Sequence, residues 1–171
     1  IISLEASKIN SIAKFVTKAN FNLEASEIET DVVDFIKDYL TEIYILEDST
    51  IKTDLKISIK NEKGISFTKE IRPLEITTIL DNLISNAEKA NAQNLTFRFS
   101  NLSDKLQIEV IDDGKGISNE IINRVFEFGF TTTSGSGIGL FQVKDLITNN
   151  MKGSISISST KGNGTTVKIV L

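Results

Sequence analysis

Apolar residues change spacing several times along the chain, and each change marks an element. Ile2, Ile9 and Val16 fall seven apart, with Ile12 and Ala19 at the intervening heptad positions and Glu5 interrupting the seam. This predicts a helix over residues 1–20 with a narrow apolar stripe, suited to a partner helix or to packing on its own domain. A short extended stretch at 27–30 leads to Asp31, a good N-cap. Residues 32–46 then carry Val32, Val33, Phe35, Ile36, Tyr39, Leu40 and Ile43 at helical spacing. Ile51, Leu55, Ile57 and Ile59 alternate, Asn61-Glu62-Lys63-Gly64 makes a turn, and Ile65, Phe67 and Ile71 follow, which predicts a β-hairpin.

Pro73, the one proline, stands where a helix begins. From there to Ala90, the residues Ile76, Ile79, Leu80, Leu83, Ala87 and Ala90 cluster on one side of a wheel drawn at about 100° per residue. Glu75, Thr78, Asn82, Asn86 and Lys89 form an adjacent polar stripe, all within about 40° of Asn82. Residues 95–99 and 106–111 alternate as two strands joined at 100–104. Residues 118–125 suggest a short helix capped by Ser118, 126–136 form a Thr- and Gly-rich loop, and 138–151 are helical. Ile155/Ile157 and Val167/Ile169 mark two closing strands around the turn Lys161-Gly162-Asn163-Gly164. The expected fold is α/β: a two-layer sandwich of a mixed, mostly antiparallel sheet and a helix layer, preceded by one N-terminal helix.

A chain of 171 residues suits one well-buried domain with a short appendage, here 21–171 and 1–20. The net charge of −4 argues against a general nucleic-acid binder, and scattered Lys and Arg leave no patch for a membrane surface. The absence of cysteine excludes disulfides and thiolate chemistry, and suits the cytoplasm. The absence of histidine excludes imidazole acid–base chemistry and most zinc sites within the chain. No apolar run approaches the ~20 residues of a membrane span. The first residue is not Met, so the expectation is a piece of a longer protein.

Three features carry candidate chemistry. Asn82 and Asn86 stand one helical turn apart with Lys89 on the same stripe. An amide oxygen can ligate Mg²⁺ without adding negative charge beside a triphosphate, so Asn86 is the candidate ligand and Lys89 a candidate phosphate contact. A plain polar helix edge would carry the same residues. In Asp112-Asp113-Gly114-Lys115-Gly116, a carboxylate ends a strand beside flexible backbone. It could accept from the exocyclic amine that distinguishes adenine from guanine, while the glycines let backbone pass close to a flat base. An ordinary Asp-Asp-Gly turn is the alternative. Gly135-Ser136-Gly137-Ile138-Gly139-Leu140 enters a helix, where backbone N–H groups can curl round an anion, although neither the P-loop nor the dinucleotide-fold spacing is met. Thr131, Thr132 and Thr133 would add hydroxyls. Each feature alone is weak; in this order they compose a Mg-nucleotide site.

The ordered motifs Asn82-Leu83-Ile84-Ser85-Asn86-Ala87, Asp112-x-Gly114-x-Gly116, Phe126-Glu127-Phe128-Gly129-Phe130 and Gly135-x-Gly137-x-Gly139-Leu140 closely resemble the ATP-binding domain of sensor histidine kinases. That domain shares a superfamily with DNA gyrase, the heat-shock ATPase chaperones and the mismatch-repair ATPases. The resemblance covers roughly residues 21–171 and implies a Bergerat-type ATP-binding fold using ATP and Mg²⁺. It implies that Asn86 holds Mg²⁺, with Asn82 and Lys89 beside it in the catalytic set. It assigns adenine to Asp112, with Gly114, Gly116 and Thr165 in support. It implies a lid from Ser118 to Gly137 with Phe126 and Phe130 as latches, Thr131 and Thr132 near the nucleotide, and Gly135, Gly137, Gly139 and Leu140 around the phosphates. The helix at 1–20 looks like the tail of the dimerisation hairpin. Two positions depart from the family: Ala90, where an aromatic ring often stacks on adenine, and Thr133, where a Lys is common.

The resemblance implies the catalytic domain of a two-component sensor histidine kinase, transferring the γ-phosphate of ATP to a His outside this chain. Its partners would be that His on the upstream dimerisation hairpin, a response regulator and a second copy of the parent, in the cytoplasm or on the cytoplasmic side of a membrane sensor. An ATPase or ATP-gated switch of the same superfamily, a non-catalytic module and a Ser/Thr kinase are the alternatives. The hydrolytic relatives carry a Glu at the position of Asn82, and an amide cannot act as a general base. Asp81 lies about 100° round the helix.

Overall fold

The computed structural model describes residues 27–46, 51–61, 63–132 and 135–171, so the helix expected at 1–20 and its boundary lie outside the described residues. The elements follow in the order β1 (Ile28–Asp31), α1 (Val32–Leu40), β2 (Lys56–Lys60), β3 (Thr68–Ile71), α2 (Pro73–Lys89), β4 (Asn94–Leu102), β5 (Lys105–Asp112), α3 (Gly139–Asp145), β6 (Ser154–Ser159) and β7 (Thr165–Val170). They form two compact units. One is built from the described part of Ile1–Asp54 with Ser66–Thr77, the other from Leu55–Ile65 with Thr78–Leu171.

In the first unit β1 runs antiparallel to β3, with Ile28 opposite Ile71 and Asp31 opposite Thr68. Asp31 caps α1 as its sequence position suggests: Oδ1 accepts the N–H of Val33 at 2.8 Å and of Asp34 at 3.1 Å, and Ser66 Oγ donates to Oδ2. Two amides of the first turn are thereby satisfied. α1 buries Val32, Val33, Phe35, Ile36, Tyr39 and Leu40. The expected helix to 46 continues as one widened turn, Thr41–Ile45, closed by Leu46 N–H donating to Thr41 O at 3.0 Å.

The hairpin expected across 51–71 does not form. β2 instead runs parallel to β4, from Lys56 beside Asn94 to Lys60 beside Arg98, while β3 pairs with β1. Alternation identifies the buried face of a strand and is the same whichever neighbour it pairs with. The local obstacle is Asn61. Its Oδ1 accepts Ile65 N–H at 2.7 Å and its Nδ2 donates to Ile65 O at 3.0 Å, which occupies the groups a hairpin ladder would use.

The second unit holds a five-stranded sheet in the order β2-β4-β5-β7-β6, with β2–β4 parallel and the other pairs antiparallel. Its registers set rows across one face. Phe99, Ile108, Ile169 and Ile155 form one row, and Phe97, Val110, Val167 and Ile157 the next. A third row on the same face is Leu95, Asp112, Thr165 and Ser159, so the apolar face turns polar at one end of the sheet. The opposite face is solvated, with Glu109 between Arg98 at 3.3 Å and Lys168 at 3.7 Å.

The helix of 73–89 lies where the polar and apolar stripes predict it, and buries Ile79, Leu80, Leu83 and Ala87. Ile84 and Thr77 are buried too, so its covered arc is wider than the stripe foreseen. α3 starts at Gly139, runs on as a widened turn over Leu146–Asn150, and buries Val143 and Ile147. The helix expected at 118–125 is reduced to a single tight turn, Ile122–Arg124, after a bend in which Ser118 O accepts the N–H groups of Ile121 and Ile122. β-branched Ile121, Ile122 and Val125 favour helix weakly, and Ile117 N–H is held by Ser159 Oγ at 2.8 Å, which pins the segment before a helix can begin.

Candidate functional site

In the second unit a cavity of about 210 Å³ opens between α2 and the polar end of the sheet. Asn82, Asn86 and Lys89 form its helical wall. Asn82 Nδ2 donates to Thr78 O at 2.9 Å. Its Oδ1 faces the start of α3, where a Cβ built on Gly139 would stand 2.7 Å away. Glycine there allows this close approach of Asn82, and its backbone angle is ordinary. Asn86 differs: its Nδ2 is buried without a hydrogen-bond partner, the one such side-chain atom among the described residues. Buried polar atoms are paired as a rule, so this unpaired nitrogen, on a residue that lines the cavity, is unusual. Lys89 is exposed at the rim.

The floor is apolar, with Leu83, Leu95, Val110, Ile157 and Val167 contributed by α2 and four strands. At its polar end Asp112 Oδ1 accepts Gly114 N–H at 2.8 Å. Burial pushes the Asp112 carboxyl above its usual value, against the pull of the Gly114 and Thr165 amides and with a smaller push from Asp113. Asp113 behaves oppositely. Its carboxylate accepts from Asn94 N at 2.9 Å, Asn94 Nδ2 at 2.6 Å and Gln93 N at 2.8 Å, and these bonds, the Asn94 amide first, hold its pKa below the usual value. One aspartate thus faces the cavity and its neighbour ties off the connection between α2 and β4.

Backbone packing holds the Asp112–Gly116 loop in place. Lys115 N–H donates to Ala90 O at 2.9 Å, and Gly162 N–H donates to Lys115 O at 2.8 Å. Gly116, at φ +65°, leaves no room for a Cβ beside Thr160 O, and Gly164, at φ +86°, leaves none beside Asp112 O. Both positions require glycine for conformation and for space. Gly114 does not line the cavity: a Cβ there would meet Ala90 Cβ at 2.7 Å. Ala90 lines the cavity and packs against Gly114, so its small side chain has a structural counterpart in this chain.

Phe130, Thr131, Thr132, Gly135, Gly137, Gly139 and Leu140 line the remaining wall. The loop is closed on itself where Gly129 N–H donates to Gly137 O at 3.1 Å, with both glycines at positive φ. The Arg124 guanidinium lies 4.6 Å from the Phe130 ring centre, and Lys144 Nζ lies 5.6 Å from that of Phe126. Phe126 does not reach the cavity. Thr133 lies outside the described residues.

Sequence reasoning missed the apolar floor, Lys115, Ile121 and Val125, and the bonding of Ser159 to Ile117, Gly164 and Thr165 beside them. A signal for Ser159 existed. In β6 the positions Ile155, Ile157 and Ser159 share one face, so a hydroxyl stands where alternation calls for an apolar side chain.

Comparison with known proteins bears on what this cavity is for. The family described as histidine kinase-, DNA gyrase B-, and HSP90-like ATPases matches residues 71–171. Sensor protein BceS of Halalkalibacterium halodurans is 33% identical over 119 residues, covering 61% of this chain and 35% of BceS. Sensor protein kinase GraS of Staphylococcus aureus is 27% identical over 184 residues, covering 97% of this chain and 49% of GraS. The chain therefore spans between a third and a half of the length of these relatives. The solved catalytic domain of histidine kinase ThkA has the same fold, with a TM-score of 0.69 at 20% identity over 85% of this chain and 94% of that one. The family match runs from the end of β3 to the C-terminus and includes every residue that lines the cavity. On that match, this chain belongs to the histidine kinase-, DNA gyrase B- and HSP90-like ATPase family.

Proposed function

We propose that the chain is the catalytic domain of a larger sensor histidine kinase, which binds Mg-ATP in this cavity and passes the γ-phosphate to a His elsewhere. The observation that carries the reading is that Asn86, whose Nδ2 is buried without a partner, lines the same cavity as Asp112. Asn86 carries an uncharged amide oxygen, Oδ1, of the kind suited to Mg²⁺. Mg²⁺ bound there with triphosphate oxygens and water would neutralise charge developing on the departing ADP. At the other end, the Asp112 carboxylate has about four acceptor sites, of which Gly114 N–H uses one and the Thr165 amide draws on another. Capacity remains for the amine of adenine, whose ring would lie on the apolar floor.

The remaining roles follow from position. Lys89 at the rim and the Gly135–Gly139 turn would hold phosphate oxygens, the turn through backbone N–H groups at the start of α3. Phosphoryl transfer leaves a protein mainly positioning and charge neutralisation to supply. The imidazole nitrogen of the acceptor attacks γ-phosphorus as the bond to the β-bridging oxygen breaks, and ADP leaves with that electron pair. The chain has no His, so the acceptor belongs to another segment or protein, proposed to be a dimerisation hairpin preceding this domain, with a response regulator next. Water is a poorer acceptor here. Asp112 is the only carboxylate among the lining residues, and Asn82 spends its amide on Thr78 O. No helix among the described residues is long and apolar enough to cross a membrane; ATP supply assigns the domain to the cytoplasmic side of the parent.

The test uses γ-labelled ATP with the full-length parent and with this chain alone. Acid-labile, alkali-stable label on the parent and none on this chain is the expected result. Steady release of free phosphate without labelled protein would establish the ATPase reading instead, and nucleotide binding without turnover in either would leave a switch.

A further inference from the structure

Ser159 Oγ stands 2.6 Å from Gly164 O, 2.8 Å from Ile117 N and 3.0 Å from Thr165 Oγ1. A serine hydroxyl has one proton to give and two lone pairs to offer. Gly164 O can only accept, so the serine proton goes there. Ile117 N–H can only donate, so it takes one lone pair. The second lone pair faces Thr165 Oγ1, which must supply its own proton to complete the bond. The direction of a contact between two hydroxyls is thus set by elimination.

The consequence appears in the cavity. Thr165 is only 9% exposed and lines it, next to Asp112 in the same row of the sheet. With its proton given to Ser159, Thr165 meets a ligand through oxygen lone pairs alone. We infer that Ser159 is a positioning residue that locks the Thr165 hydroxyl as an acceptor, so that the polar end of the cavity presents two acceptors and selects a 6-amino purine over its 6-oxo counterpart. The inference rests on the assignment of that end to the purine. A 6-amino group brings two N–H donors to be shared between Asp112 and Thr165. A 6-oxo purine brings lone pairs at O6 and a single donor at N1, so at most one of the two acceptors is answered. An ionised carboxylate has no proton to answer with, and the threonine proton is already committed.

Calorimetric titration of the chain with ATP and with inosine triphosphate, at one fixed Mg²⁺ concentration, tests this. Wild type is expected to favour ATP. Ser159→Ala frees the Thr165 hydroxyl to donate, so the ATP-to-inosine-triphosphate affinity ratio should fall about five- to tenfold. Ser159→Thr keeps the hydroxyl and should keep the ratio. A serine that merely braces the Gly116–Ile117 backbone would weaken both nucleotides alike, and an unchanged ratio in Ser159→Ala overturns the inference. If that variant does not fold, Thr165→Val decides: its ratio should fall likewise, and an unaltered ratio excludes the hydroxyl from selection. Equal wild-type affinity for the two nucleotides would remove the purine assignment itself, a different failure read from a different protein.

Discussion

Replacing Asp112 with Asn separates binding from folding in a single side chain. Asp112 Oδ1 already accepts Gly114 N–H at 2.8 Å, and the Asn oxygen can keep that bond. The Asn Nδ2 then takes the place of the second carboxylate oxygen, and a donor meets the amine of adenine. The loss is at least one hydrogen bond to a charged acceptor, worth about 1.5–3 kcal/mol. At about 1.4 kcal/mol per decade, ATP affinity should fall by about ten- to a hundredfold. Stability should move the other way. Burial raises the folded-state pKa of Asp112 above the ordinary 3.8, so between the two values the folded chain holds a proton that the unfolded chain releases. Stability from this group therefore declines as pH rises through that window, and at neutral pH the ionised form is a cost that a neutral amide avoids. Calorimetric titration with ATP and thermal unfolding without nucleotide, both at pH 7, form the assay. Lost affinity with an unlowered Tm is expected. Unchanged affinity would refute the adenine assignment, and a Tm several degrees lower would refute the account of Asp112 as a strained, functional carboxylate.

Other expectations follow from single contacts. Asn86→Ala should abolish the Mg²⁺ dependence of ATP binding while leaving Tm within a few degrees, and an intact Mg²⁺ requirement in the titration would count against Asn86 as ligand. Gly116→Ala combines positive φ, about 1–2 kcal/mol, with a Cβ driven into Thr160 O, about 1–3 kcal/mol, so Tm should drop by about 4–20 °C. Gly162→Ala, at φ +88° with nothing within 4 Å, carries the backbone cost alone, and calorimetry should show the smaller drop of the two. Asp113, whose folded pKa is lowered by the Asn94 and Gln93 bonds, contributes stability above the unfolded pKa that is lost as pH falls through the folded one. Asp113→Asn should accordingly flatten the acid limb of a Tm-against-pH series, and a curve parallel to wild type would contradict the bonding described.

Local pattern determined a good deal about this protein. The helix from Pro73 and its two stripes follow from a 3.6-residue period, which depends on the chain's own geometry, and they deliver Asn82, Asn86 and Lys89 to one wall. Asp31 as a cap is equally local, since its partners stand two and three residues on. Strand faces were legible because alternation records which side is buried. Strand partners were not: β2 beside β4 and β3 beside β1 satisfy the same alternation as the hairpin that sequence suggests. The sequence motif singled out Asp112, but the tie of its neighbour Asp113 to Asn94 emerged only in the fold. Ser159 acquires its meaning from Ile117, 42 residues away, and from a register that sets it in the row of Asp112 and Thr165. Such roles depend on which distant groups share a buried space and must satisfy one another's hydrogen bonds, a condition that exists only once the chain has closed.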